Sequence, residues 1–287
     1  MTVGKLTPAM GRTAMNAPVS PPPPVAANAL LTAPITPTLL RLALPNVVAM
    51  FGSTLVAVAE TAYIGRLGIV PLAAIALAFP FTMLMQTTSA GAIGGSVSSA
   101  ISRALGADNV GRANALAWHA VTIGVIGGLF FTLMMLLFSK RLFTLLGGSG
   151  AVLAEATGYA TVLFSGAIAI WLVNTLASIL RGTGNMRVPS MTLLAVAVLQ
   201  VICGGALGLG LGGVPRFGMI GVASGQLIAY TIGTGFLAWY LASGRSRLTL
   251  NLSTFALRKN MFADILKVGA ISCLSPVQTV LTIVIFT

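Results

Sequence analysis

The sequence predicts an all-α polytopic membrane protein: six transmembrane helices followed by part of a seventh. Three observations carry this reading. Hydrophobic residues make up 56% of the 287-residue chain and charged residues only 7%, against about a quarter charged in a soluble domain. The apolar residues come in runs long enough to cross a bilayer, which takes about 20 residues at helical rise. The basic residues fall at the ends of those runs or between them. A mean hydropathy of +0.98 is incompatible with a water-facing surface around one core. It excludes a soluble enzyme, a disordered chain and a secreted disulfide scaffold.

Residues 1–38 differ from the rest. They hold Pro21 to Pro24 in a row, with Pro18, Pro34 and Pro37, and no sustained apolar run. A secretory signal peptide needs an apolar stretch soon after its basic start, and this segment has none. It reads as a disordered cytoplasmic arm with polyproline stiffness. Spans are then expected at about Leu42–Ile64, Leu72–Ala100, Ala113–Phe138, Tyr159–Leu180, Val188–Leu211 and Ile220–Leu241. Together they make a six-helix lobe over 39–243. A cytoplasmic linker follows over 244–264, and a partial seventh helix over 265–287 is still apolar at Thr287. The reading frame is expected to continue for about another lobe.

Of the 16 Lys and Arg residues, four (Arg66, Lys140, Arg141 and Arg216) lie after spans one, three and five. The remaining twelve lie in the N-terminal arm or after spans two, four and six. The positive-inside rule then places the N-terminus in the cytoplasm. A net charge of +12 dispersed in this way marks membrane topology, and no nucleic-acid partner is expected. Cys203 and Cys273 sit in apolar runs, where thiols behave as small hydrophobes. With His119 as the only histidine and no C-x-x-C, no metal site is expected. His119, beside Trp118 at the start of span three, reads as a residue of the membrane interface. There is no phosphate-binding G-x-x-x-x-G-K-[ST] and no pair of groups that would serve catalysis, so neither an ATP-driven motor nor an enzyme is expected.

Asp108, Glu155 and Asp264 lie in or beside connections, where water solvates them. Glu60 lies inside span one, where a carboxylate costs up to about 2.5–3.5 kcal/mol on insertion scales. Asn46, Ser53 and Glu60 are spaced by seven and form one polar stripe along that helix. A carboxyl on such a stripe can exchange a proton or hold Na⁺ with neighbouring oxygens; the bland alternative is an interfacial glutamate paired with Arg66. Gln86, Asn174, Ser178, Gln200 and Gln226 are further polar groups at membrane depth. Singly each reads as an interhelical hydrogen bond, worth about 0.6 kcal/mol. As a set they suggest a polar interior shared by one bundle. Gly124-x-x-x-Gly128, Gly204-x-x-x-Gly208-x-x-x-Gly212 and Gly221-x-x-x-Gly225 read as close-packing faces.

Four stretches in order resemble one family. Glu60-Thr61-Ala62-Tyr63-Ile64-Gly65-Arg66-Leu67-Gly68 with Pro71-Leu72-Ala73-Ala74 is similar to the end of the first helix of multidrug and toxic compound extrusion (MATE) transporters. Ser102-Arg103-Ala104-Leu105-Gly106-Ala107 resembles the segment after their second helix. Leu180-Arg181-Gly182-Thr183-Gly184-Asn185 with Pro189 resembles their link between helices four and five. Gly213-x-Pro215-x-x-Gly218-x-x-Gly221-Val222-Ala223 resembles their entry to helix six.

The resemblance implies the N-terminal lobe of a twelve-helix transporter, plus the start of helix seven. Such a protein exports organic compounds, cationic or amphipathic, against H⁺ or Na⁺ by alternating access. It needs no cofactor. Its partners are a small-molecule substrate, the lipid bilayer and the C-terminal lobe of the same chain. The expected location is a cell membrane, the inner membrane of a bacterium. The resemblance also implies a cation site made by an acid on helix one and an Asn-x-x-x-Asn/Asp pair on helix five. Glu60 matches the acid, while the pair reads Gln200 and Gly204. One oxygen ligand is missing, which favours H⁺ over Na⁺. Asn46, Ser53, Gln86, Asn174 and Ser178 are expected to line the cavity. A lipid-linked precursor flippase of the same superfamily is the first alternative, but would call for several interior Lys or Arg, which the sequence does not show. A non-transporting membrane scaffold is the second.

Overall fold

The computed structural model describes residues 34–248 and 258–286. Most of the expected N-terminal arm and the middle of the expected linker lie outside these residues. Residues up to Arg41 form one unit and Leu42 onward a second; the packing below is that of the second.

The described residues form nine α-helices: α1 Ile35–Leu67, α2 Ile69–Gln86, α3 Gly94–Gly106, α4 Val110–Leu145, α5 Gly150–Ser165, α6 Ala167–Gly182, α7 Arg187–Leu209, α8 Gly218–Ala242 and α9 Lys259–Phe286. Among them, Ile69–Gly106, Val110–Leu145, Arg187–Leu209, Gly218–Ala242 and Lys259–Thr282 are each long and apolar enough to cross a membrane. α5 and α6 make a sixth crossing if they are taken as one broken span. The first expected span lies within α1. The helices overrun the apolar stretches because a helix does not stop at the hydrocarbon boundary. α4, at 36 residues, is about 54 Å long and carries Lys140 and Arg141 in its far end. For the same reason α9 begins at Lys259 rather than Ile265.

Two departures from regular helix shape the interior. Between α2 and α3 the chain continues as a π-helix over Thr87–Ile93, a wider turn that is frequent at functional sites. It brings Gln86 and Ser89 onto one side. The expected fourth span is not one straight rod: α5 and α6 meet at Gly166 with a 49° bend. A bend frees the last carbonyls of the helix before it, Phe164 among them, and two threonine hydroxyls from neighbouring helices bond to either side of this one. Thr132 of α4 donates its hydroxyl to the Phe164 carbonyl (2.7 Å), and Thr234 of α8 donates to that of Ala169 (2.8 Å).

α7 and α8 share the closest approach. A Cβ added to Gly225 would land on the backbone of Gly204, and one added to Gly221 on the carbonyl of Leu207. Gly221 and Gly225, like Gly128 against Ile168 on the other stripe, are therefore backbone contacts. Gly124 and Gly208 lie against the side chains of Thr175 and Val222. Gly212, beyond the end of α7, meets nothing within 4 Å and is no part of a packing face. α7 ends in Gly210 at φ 73°, with its N–H bonded to the Ala206 carbonyl (2.9 Å). That is the left-handed cap that glycine adopts without strain.

The structure overturns the interfacial reading of His119. Its side chain is fully buried between α4 and the start of α9. Nδ1 lies 2.7 Å from the Ala115 carbonyl and Nε2 2.8 Å from the Arg258 backbone N–H. The first contact makes Nδ1 the donor, so Nε2 is left to accept the orphan N–H at the head of α9. Phe262 meets the ring edge-on at 4.7 Å. Arg112 and Asp264 form an ion pair beside it at 2.5 Å. A lone histidine in an apolar run reads as interfacial because nothing in the local sequence shows that a distant helix start needs an acceptor.

Candidate functional site

A cavity of about 480 Å³ opens among α1, α2, α5, α6, α7 and α8. Each of these helices contributes at least one polar side chain, and α1, α2, α5 and α7 also supply the apolar wall. The wall includes Met50, Phe79, Met83, Leu163, Leu193 and Val196. This mixture of a few fixed polar groups on an apolar lining, at this volume, suits a small organic ligand. The methionines let the walls adapt to its shape.

Glu60 lies on the wall contributed by α1. Its Oε1 accepts two hydrogen bonds, from Gln200 Nε2 at 2.5 Å and from the Tyr63 hydroxyl at 3.3 Å. The first ties α1 to α7. The second is local, since residues three apart share a helix face. Thus the interfacial alternative, a Glu60–Arg66 pair, is not what forms. Gly204, at the second position of the helix-five pair, offers no side chain. The Tyr63 hydroxyl is the group that would meet any Cβ placed there, at 2.9 Å.

A second cluster occupies the middle of the cavity. Asn174 Nδ2 donates to Gln86 Oε1 (3.0 Å) and to Ser89 Oγ (2.9 Å), and Gln86 Nε2 donates to the Tyr230 hydroxyl (2.6 Å). Across from it the Tyr159 hydroxyl donates to Gln226 Oε1 at 3.2 Å. The π-turn explains how Gln86 and Ser89 reach the same carboxamide. Each of these groups is satisfied at least once, as most buried polar groups are.

Of the residues expected to line the cavity, Glu60, Gln86, Asn174 and Gln200 do so. Ser178 does not. Its hydroxyl bonds back to the Asn174 carbonyl (2.8 Å) and its side chain sits against Gly94 of α3, behind the cavity wall. A serine in a helix commonly satisfies itself on its own turn, and sequence spacing does not reveal which neighbour it faces. The side chains of Asn46 and Ser53 lie outside the described residues. Four polar lining groups went unread in the sequence: the hydroxyls of Thr82, Tyr159 and Tyr230, and Arg181. Tyrosine in an apolar run looks like core or interface. Arg181, at a span end, looks like a topology signal. The expectation of no interior cation is therefore corrected: one arginine lines the cavity.

The MatE family model matches residues 45–204, more than half of the chain. The chain belongs to the MATE family of transporters. It is similar to the FAD transporter of Shewanella oneidensis, 28% identical over 214 residues, covering 75% of this chain and 47% of that protein. It is similar to the multidrug export protein MepA of Staphylococcus aureus, 25% identical over 238 residues, covering 82% and 51%. Among solved structures, it resembles an outward-facing multidrug resistance MATE family transporter of the MOP superfamily. That match has a TM-score of 0.77 and 31% identity, covering 83% of this chain and 52% of the other. The chain thus spans about half the length of the curated MATE relatives it matches. Its helices and the family together make it a multi-pass membrane protein.

Proposed function

We propose that this chain is the N-terminal lobe of a secondary transporter that exports organic compounds against the inward flow of a cation, H⁺ in preference to Na⁺. The observation that carries the reading is Glu60, a carboxyl on the wall of an organic-sized cavity, held by Gln200 and Tyr63. Both neighbours donate hydrogen bonds to the same oxygen. A cage for Na⁺ would instead need several oxygens turned inward, and the second position of the helix-five pair, Gly204, supplies none. Protonated, Glu60 is neutral and keeps both contacts, because its carbonyl oxygen can still accept them. Deprotonated, it is a charge in a cavity that also admits water or a ligand. A ligand shifts the equilibrium between two conformations only by binding one of them better. A carboxyl that changes charge with conformation gives it the means. The flippase alternative calls for several interior cations, and Arg181 is the one cation among the described lining residues.

Purified protein, as its gene encodes it, tests this in proteoliposomes loaded with a rhodamine dye. An imposed pH gradient is expected to drive dye movement that a protonophore abolishes, while a Na⁺ gradient at equal pH drives none. Movement with Na⁺ alone would refute the choice of ion. Movement with neither would refute the transport reading.

The proposed topology puts the N-terminus and the links after spans two, four and six in the cytoplasm of a bacterial cell. α7, with 23 residues, is about 35 Å long, enough to separate its two ends by a bilayer. In a background lacking Cys203 and Cys273, single cysteines near Arg187 and near Arg216 are expected to react with an impermeant maleimide from opposite sides. Equal labelling of both from outside would overturn the orientation.

A further inference from the structure

Arg181 brings a second charge into the cavity, and its surroundings leave it free to bind. It stands seven residues from Asn174 on α6, on the same face, about 10 Å along the axis. The backbone at Arg181 therefore lies two turns from that at Asn174, toward the link between α6 and α7, and its side chain lines the same cavity. It is half-buried, and its Nε is shielded from solvent without a hydrogen-bond partner. Arg112–Asp264 is the one ion pair among the described residues, and Arg181 has no part in it.

The ordinary task of an arginine in a last turn is to bond the final carbonyls of its helix. Here backbone and threonine groups already do that. Thr183 N–H reaches the carbonyls of Ile179 and Leu180, Thr183 Oγ1 and Asn185 N–H reach Leu180, and Gly184 N–H reaches that of Arg181. Among the described lining residues, Glu60 and Arg181 alone carry a formal charge. A partly desolvated guanidinium without a partner is costly, and its planar fork matches a carboxylate or phosphate.

We propose that Arg181 is the anchor for an oxyanion on the substrate. The transported compounds are then anionic or zwitterionic amphiphiles: a carboxylate or phosphate on Arg181, an apolar body along Leu193 and Val196, and a donor end toward Glu60. This rests on the reading of the cavity as a transport site, and it narrows the expectation of cationic or amphipathic substrates to amphiphiles that carry an oxyanion.

The test measures equilibrium binding in nanodiscs, with no ion gradient, on the protein as its gene encodes it. The probes are rhodamine B, which carries a free carboxylate, and its ethyl ester, which does not. Wild-type protein is expected to hold the carboxylate dye more tightly than the ester. Arg181→Gln is expected to weaken the carboxylate dye by about tenfold or more, the scale of one charged hydrogen bond, and to leave the ester unchanged. Arg181→Lys is expected to retain part of the difference, since it keeps the charge but loses the fork. Equal losses for both dyes would show a structural arginine and overturn the proposal. So would an unchanged affinity in Arg181→Gln, a wild-type preference for the ester, or no measurable hold on the carboxylate dye. Because Glu60 is untouched and no gradient is applied, a failure of the coupling reading would leave this result standing, and the reverse.

Discussion

Glu60→Gln is expected to reduce gradient-driven efflux to the rate of liposomes without protein, while the protein still folds and inserts. The substitution separates two tasks of one side chain. The glutamine carbonyl can accept the bonds that Gln200 Nε2 and the Tyr63 hydroxyl now make to Oε1, so the tie between α1 and α7 survives. What is lost is the capacity to change charge. A neutral amide holds the site permanently in the equivalent of its protonated state, and the cation has no group through which to bias the two conformations. Exchange of labelled for unlabelled dye, which needs no net cation movement, is expected to continue in the variant. Glu60→Asp keeps the charge change on a shorter stem and is expected to retain part of the driven rate. Wild-type efflux from the Gln variant would show that Glu60 is not the coupling group, and coupling would then have to be sought outside this lobe. Loss of both driven efflux and exchange, with an unfolded protein, would mean that the carboxyl is structural.

What the sequence could show depended on whether a residue conflicts with lipid by itself or only in company. Glu60 and Gln200 conflict alone: a carboxyl and a carboxamide in apolar runs need a partner whatever the fold. Asn174 and Gln86 were visible for the same reason, although their meeting depends on a π-turn that no local pattern announces. Tyr159 and Tyr230 were invisible because a tyrosine ring is at home in an apolar run and its hydroxyl shows only when a partner is found. Arg181 was legible as chemistry and misleading as position. An arginine at a span end counts toward topology, and only the bend at Gly166 with the packing of α6 shows that its face is the cavity's. Ser178 failed the opposite way, with the right composition on the wrong face. The fold was easier to read than the site, because runs of about 20 apolar residues admit few alternatives to membrane helices. The break between α5 and α6 was missed, since Gly166 is one small residue in a stretch where glycine is common.

Gly225→Ala is expected to cost the protein its folded state or most of its stability, whereas Gly235→Ala on the same helix is expected to be neutral or stabilising. Both glycines lie inside α8, where exchange for alanine ordinarily favours the helix by roughly 0.5–1 kcal/mol. Their surroundings decide the sign. A Cβ at Gly235 meets nothing within 4 Å, but at Gly225 it would occupy the position of the Gly204 backbone on α7. No side chain there can rotate away, because the obstacle is main chain on a neighbouring helix. The helices must separate, and with them goes the contact beside Gly208 and Gly221, where an added Cβ would likewise meet Val222 and the Leu207 carbonyl. Overpacking typically costs about 1–3 kcal/mol, more where backbone must shift. In a membrane, close packing is itself a main source of helix association. The strain would also reach the site, since α7 carries Gln200 one turn before Gly204. Thermal unfolding in detergent should show a lower midpoint for Gly225→Ala and an equal or higher one for Gly235→Ala. Equal midpoints for the two variants would show that α7 and α8 can part at this crossing without loss, and that the glycine stripes do not hold the lobe together.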